Sequence, residues 1–134
     1  MTSAQRVADS RSEVYAEAIA LMRARLFEVE DLAQLVEHDY VGPSEEAGDI
    51  TTARVLLVAS PDVWRSFERF FEIYRPARMW RAAVELARRG GDPNLEARAA
   101  LLEIVGPLRT TLDEAIDRMA KDVGTRRVPL QTSE

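Results

Sequence analysis

The sequence predicts an all-α fold, an antiparallel up-down helical bundle with two long amphipathic helices around a proline-broken middle section. Three observations predict it. Apolar residues recur at steps of three and four through most of the chain, the period of one helix face. The 6 Gly and 6 Pro sit at a few places instead of being scattered through the chain. The apolar run Val55 to Ala59 has nothing elsewhere to pair with as a strand.

The first helix reads from Asp9 or Ser10, either of which can cap it, to Gly42-Pro43. Tyr15, Ile19, Met22, Leu26, Val29, Ala33, Val36 and Tyr40 step by 4, 3, 4, 3, 4, 3, 4, an a/d seam of the coiled-coil kind. Val14, Ala18, Leu21, Leu32 and Leu35 widen the stripe, so this helix faces two neighbours. About 30 residues at 1.5 Å each give a rod of roughly 45 Å, which sets the length of the bundle.

Helical spacing resumes near Ile50, with Ile50, Ala53, Leu57, Trp64, Phe67, Phe71 and Tyr74 as a second seam. Ser60-Pro61-Asp62 interrupts it. Serine is a good N-cap, and proline at the next position lacks only a donor that would be unsatisfied anyway. Pro76 disfavours helical geometry at Arg75 and predicts a second kink or short break. A further helix over Ala77 to Arg89 is closed by Gly90-Gly91, and Asp92-Pro93 repeats the start signal. The last long helix carries Leu101, Val105, Leu108, Leu112, Ala115 and Met119 in one seam across Gly106-Pro107, with Gly124 as its stop. Residues 1–124 read as one bundle domain and 125–134 as a flexible C-terminal tail.

At 134 residues the chain is long enough to bury one core without a disulfide or metal staple. Cysteine is absent, which excludes thiolate metal sites and thiol catalysis and fits a reducing cytoplasm. Met1 to Ser12 lacks the apolar core of a signal peptide, and no run approaches the ~20 residues of a membrane span. The expectation is a cytoplasmic protein without a membrane span. The single histidine, His38, sits near the end of the first helix, where the macrodipole favours a cation. One histidine completes neither a zinc site nor a di-iron bundle. No nucleophile elbow, phosphate loop or glycine-rich nucleotide turn occurs, so the sequence predicts no enzyme, no catalytic residue, no metal and no cofactor.

The most unusual local feature lies between Trp64 and Trp80, which hold 6 of the 9 aromatic residues: Trp64, Phe67, Phe70, Phe71, Tyr74 and Trp80. Trp64, Phe67, Phe71 and Tyr74 share one face and read most simply as core, with Phe70 able to edge the same stripe; a partner-binding or self-association surface is the other reading. That segment is also basic, with Arg65, Arg69, Arg75, Arg78, Arg81, Arg88 and Arg89 against Glu68, Glu72 and Glu85. Conversely, Glu28 to Asp49 is acidic without a lysine or arginine. Opposite blocks of this kind answer each other within a fold or across a homodimer. Basic residues interleaved with aromatics also suit nucleic acid, using Arg65, Arg69, Arg78, Arg81, Arg88 and Arg89. The net charge of −5 and a single lysine against 17 arginines weigh against that partner.

Three stretches together carry a resemblance: Arg11-Ser12-Glu13-Val14-Tyr15, Val55 through Ser60-Pro61-Asp62-Val63, and Met119-Ala120-Lys121-Asp122-Val123-Gly124. In this order they resemble a small helical module widespread in uncharacterised bacterial proteins of actinobacterial type. That module has an Arg-x-x-x-Tyr first helix, an apolar run into Gly/Ala-Ser-x-x-Val, and a Met-Arg-x-Asp-Leu-Gly end. Ala120 stands here in place of its arginine and Val123 in place of its leucine. The resemblance implies a helical fold and a bacterial origin, and no activity.

The function expected is a protein-protein interaction or self-association module, with a protein partner or its own copy as a homo-oligomer. Its candidate surface is Trp64, Phe70, Tyr74, Arg78, Trp80 and Arg81. On that reading Trp80→Ala with Phe70→Ala weakens association and leaves helicity intact. A nucleic-acid-associated regulator is the alternative. Behind it stands a small-molecule bundle, which needs a pocket lined by Trp64, Phe71, Tyr74 and polar groups.

Overall fold

The computed structural model describes residues 3–34, 42–91 and 94–124, with side chains from residue 10 onward except that of Arg88. The described residues form four helices: α1 (Ser3–Gln34), α2 (Glu45–Val58), α3 (Pro61–Arg89) and α4 (Leu95–Asp122). Their cross-links fix the directions. Arg54 on α2 meets Glu17 on α1, and Arg78 on α3 meets Glu45 at the start of α2. Arg118 on α4 donates to Ser66 on α3, and Arg109 on α4 pairs with Glu30 on α1. Each consecutive pair is therefore antiparallel, and the bundle runs up, down, up, down.

The core lies among α1, α3 and α4, and α2 packs chiefly on α1. Its largest fully buried side chains include Met22, Phe67, Phe70, Leu101, Leu108 and Met119. The α1 seam from Tyr15 through Ala33 is buried apart from Ile19, which packs at its edge. In α4, Leu101, Leu108, Leu112, Ala115 and Met119 are buried, with Val105 half-buried beside them. Val36, His38, Tyr40, Asp92, Pro93 and the 125–134 tail lie outside the described residues.

Four expectations are corrected. Helix α1 begins at Ser3, with Asp9 and Ser10 inside it. Ala4, Arg6 and Ala8 are good helix formers and no Gly or Pro intervenes, so nothing stops the helix propagating back. Pro76 does not break α3, which continues for 29 residues through it. Its ring is exposed, as is Glu72, whose carbonyl loses a main-chain donor and can take water instead. Tyr74 and Ala77, buried on either side of the proline, hold the axis. The middle is thus broken once, at Ser60-Pro61, where the Ser60 hydroxyl accepts from the Val63 amide at 3.4 Å.

The start of α4 is set by Asn94 instead of Asp92-Pro93. Asn94 adopts φ 44°, a left-handed conformation that asparagine tolerates better than most residues. Its side-chain oxygen accepts from the Ala97 amide at 3.1 Å, and its amide donates to the Ala83 carbonyl at 3.4 Å. The fourth correction concerns α2. Its N-cap is Ser44, whose hydroxyl accepts from the Ala47 amide at 3.0 Å. The residues it buries are Gly48 and Val55, while Ile50, Ala53 and Leu57, expected in a core seam, face solvent.

Candidate interaction surface between α2 and α3

Because α2 leans on α1, a groove of about 270 Å³ opens between α2 and α3. From α2, Asp49 and Thr52 line one wall, with Leu56 one turn beyond Thr52 on the same side. From α3, Trp64, Phe67, Phe71 and Tyr74 form the floor, with Glu68, Arg75 and Arg78 along the rim. Their 3/4 spacing puts the rings in one continuous row. Trp64 stacks on Phe67 with centroids 5.9 Å apart, Phe67 meets Phe71 at 4.8 Å, and Phe71 meets Tyr74 edge-on at 5.9 Å. Such offset and edge contacts suit the ring quadrupoles and stiffen the floor.

Beyond the polar wall of Asp49 and Thr52, α2 also exposes apolar residues beside the groove. Ile50 is 57% exposed, Leu56 59% and Leu57 82%. Ile50, Ala53 and Leu57 share one helix face, adjacent to the face that lines the groove. Isolated exposed leucines need no explanation, but an apolar helix stripe beside an aromatic groove is a patch of the kind interaction sites use.

The candidate residues divide between this patch and the core. Trp64 is half-buried in the groove floor. Arg78 lies on the rim, held by Glu45 at 2.9 Å. Tyr74 touches the groove but is buried, and its hydroxyl donates to Glu28 at 3.0 Å. Burial raises its pKa above the ordinary phenol value, and the neighbouring Glu28 charge adds to the rise. Phe70 is fully buried and offers nothing to a partner, a correction to its expected place on the surface. It turns away from the groove and meets Phe71 edge-on at 5.0 Å. Trp80 is half-buried against the core, outside the groove lining. Arg81 is held by Glu85 at 3.3 Å, with Glu28 at 3.9 Å. Arg78 and Arg81 thus face Glu45 and Glu28, two members of the acidic block, within one chain.

The exposure of Ile50 and Leu57 is hidden in the sequence because, with Ala53 between them, their spacing is that of a core seam. A signal was there. Val55-Leu56-Leu57-Val58 is apolar all round the helix, and a short helix resting on one neighbour buries only one side.

A second polar cluster stands at the bundle end where α1, the α2–α3 break and α4 meet. Tyr15 donates to the Asp122 carboxylate and accepts from the Ser60 amide at 3.2 Å. Arg11 donates to the Val58 carbonyl at 2.8 Å and lies 3.5 Å from Asp122. Residues from all three resemblance-bearing stretches therefore converge on one junction, and the spacing of that pattern is a tie between helices. Burial, reinforced by the hydrogen bond to Asp122, pushes the Tyr15 phenol up to about 12.

Tyr15→Phe is expected to cost about 2 kcal/mol in urea unfolding at neutral pH, since a carboxylate and an amide each lose a partner. The folded state holds the Tyr15 proton more tightly than the unfolded chain, whose phenol titrates near 10. Its stabilisation is therefore complete below pH 10 and is lost as pH rises through about 12. Tyr15→Phe should flatten that alkaline decline.

Among the described residues, no cluster of His, Cys, Asp or Glu is arranged to hold a metal ion, and no helix is long and apolar enough to cross a membrane. No protein-family model, curated protein or solved structure matches the chain.

Proposed function

We propose that this protein is a non-enzymatic helical interaction module that docks an amphipathic helix in the α2–α3 groove. The observation that carries the reading is the exposure of Ile50, Leu56 and Leu57 beside a groove with an aromatic floor. Helix-in-groove recognition uses such a site, with anchors at i, i+3 or i+4, and i+7 entering an apolar channel. A cavity of roughly 150 Å³ holds one benzene ring, so about 270 Å³ admits roughly two side chains of leucine size. The absence of cysteine and the resemblance to a bacterial module support a bacterial, cytoplasmic setting.

The test is a photo-crosslinking side chain at position 57, in living cells that express the protein. Protein adducts are expected from that position and not from position 114, an exposed site on α4. Absence of any adduct at 57 sinks the proposal. Leu57→Glu provides the complementary measurement. It is expected to abolish docking while changing the unfolding free energy by no more than about 0.5 kcal/mol, as for a surface substitution. A loss of several kcal/mol would mean that Leu57 belongs to the core.

A further inference from the structure

We infer that the occupant of the groove is α2 of a second copy, docked antiparallel to the first α2 across a two-fold axis near positions 53 and 54. The inference rests on the reading of the groove as a helix-docking site and adds what fills it. A two-fold interface must be self-complementary, the same patch serving both partners. This patch carries both halves of such a contact side by side. Ile50, Ala53 and Leu57 project from α2 as a row of knobs at helical spacing, and the groove beside them is a socket of matching dimensions. From Ile50 to Leu57 is about 10.5 Å along the axis, the same as from Phe67 to Tyr74 along the floor. An axis at the middle of the row sets Ile50 of each copy level with Leu57 of the other.

Charge selects the antiparallel direction. The first turns of α2 carry Glu45, Glu46 and Asp49, and its second half carries Arg54, followed by Arg65 early in α3. Glu46 and Asp49 make no ion pair among the described residues, and Arg65 has only Asp62, one turn before it on its own helix. Parallel apposition would stack the carboxylates of one copy on those of the other. Antiparallel apposition lays them over the Arg54 and Arg65 end, and it also opposes the two helix dipoles. The incoming helix then runs parallel to α3 and antiparallel to its counterpart.

Because the chain contains no cysteine, Ala53→Cys introduces a single thiol beside the proposed axis. The full chain is expected to show twice its own mass in light scattering at raised concentration, and Ala53→Cys is expected to form a disulfide dimer under mild oxidation. Leu57→Glu should weaken dimerisation roughly tenfold or more, as for an anchor in an interface. Glu46→Arg should weaken it as well, and Glu46→Arg combined with Arg65→Glu should restore it. Circular dichroism on each variant separates unfolding from dissociation. A strict monomer that still yields adducts to other proteins from position 57 overturns the second copy as occupant and leaves the docking reading intact. A monomer without adducts overturns both. A dimer in which Ala53→Cys fails to cross-link overturns the proposed axis.

Discussion

Phe70→Ala is expected to lower the free energy of unfolding by about 4 kcal/mol, the cost of losing a buried phenylalanine and leaving a cavity. Phe70 has no exposed surface and belongs to the core cluster that joins α1, α3 and α4. Its edge-on contact with Phe71 also fixes the ring that floors the groove. Folded domains are stable by roughly 5–15 kcal/mol, so the variant is left marginal. Urea unfolding followed by circular dichroism measures the loss. A change below about 1 kcal/mol would return Phe70 to the candidate surface. Leu57→Glu is the paired control: the residue that looks like core should tolerate a charge, and the one that looked like surface should not tolerate alanine.

That inversion shows how far the sequence was legible. Helix periodicity reports which residues share a face, and it reported this well for α1 and α4. Both are long helices whose single stripe from Tyr15 to Ala33 or Leu101 to Met119 meets the core. Periodicity does not report whether a face has a neighbour. For α2 it found a seam through Ile50, Ala53 and Leu57, but the tertiary contact runs through Gly48 and Val55. The choice between those faces is made by α1, through groups far away in the sequence. Pro76 was misread for a similar reason. A proline's local cost is fixed, but the burial of Tyr74 and Ala77 around it belongs to the packed state.

The candidate surface was half legible. Trp64 and Arg78 do border the groove, because aromatic and basic residues at helical spacing on α3 put them on neighbouring flanks. Helical spacing alone leaves Phe70 at the edge of the Trp64–Tyr74 stripe and gives Trp80, beyond Pro76, no fixed face. The structure has room for them: α3 packs on α4 as well as on α1, which widens its buried face. The junction of Arg11, Tyr15, Ser60 and Asp122 was visible only as a pattern of separated motifs. Its physical sense, a tyrosine hydrogen-bonded across 107 positions of chain, needed the fold.

Arg25→Ala is the second substitution with a large expected effect, about 3 kcal/mol, because it removes one partner of a buried ion pair. Arg25 is 6% exposed and reaches from α1 to three acceptors: Glu28 at 2.9 Å, the Pro43 carbonyl at 2.7 Å and the Ser44 carbonyl at 3.2 Å. Glu28 would keep Tyr74 and the more distant Arg81, too little to replace a buried guanidinium. The loss should concentrate in α2, whose amides are expected to exchange faster than those of α3 and α4. Gly48 supplies an independent check on the geometry. A Cβ there would stand 3.1 Å from the Arg25 guanidinium, so the close seat of α2 on α1 depends on a residue without a side chain. In the natural protein Gly48→Ala should therefore forfeit the ~1 kcal/mol that alanine ordinarily gains over glycine inside a helix. In the Arg25→Ala background the obstruction is gone, the nearest remaining atom is Leu21 at an ordinary 3.6 Å, and the gain should return. A double-mutant cycle by urea unfolding reads this coupling directly. Additive effects would mean that Arg25 does not hold α2 in place, and the orientation of the Ile50–Leu57 stripe would need another cause.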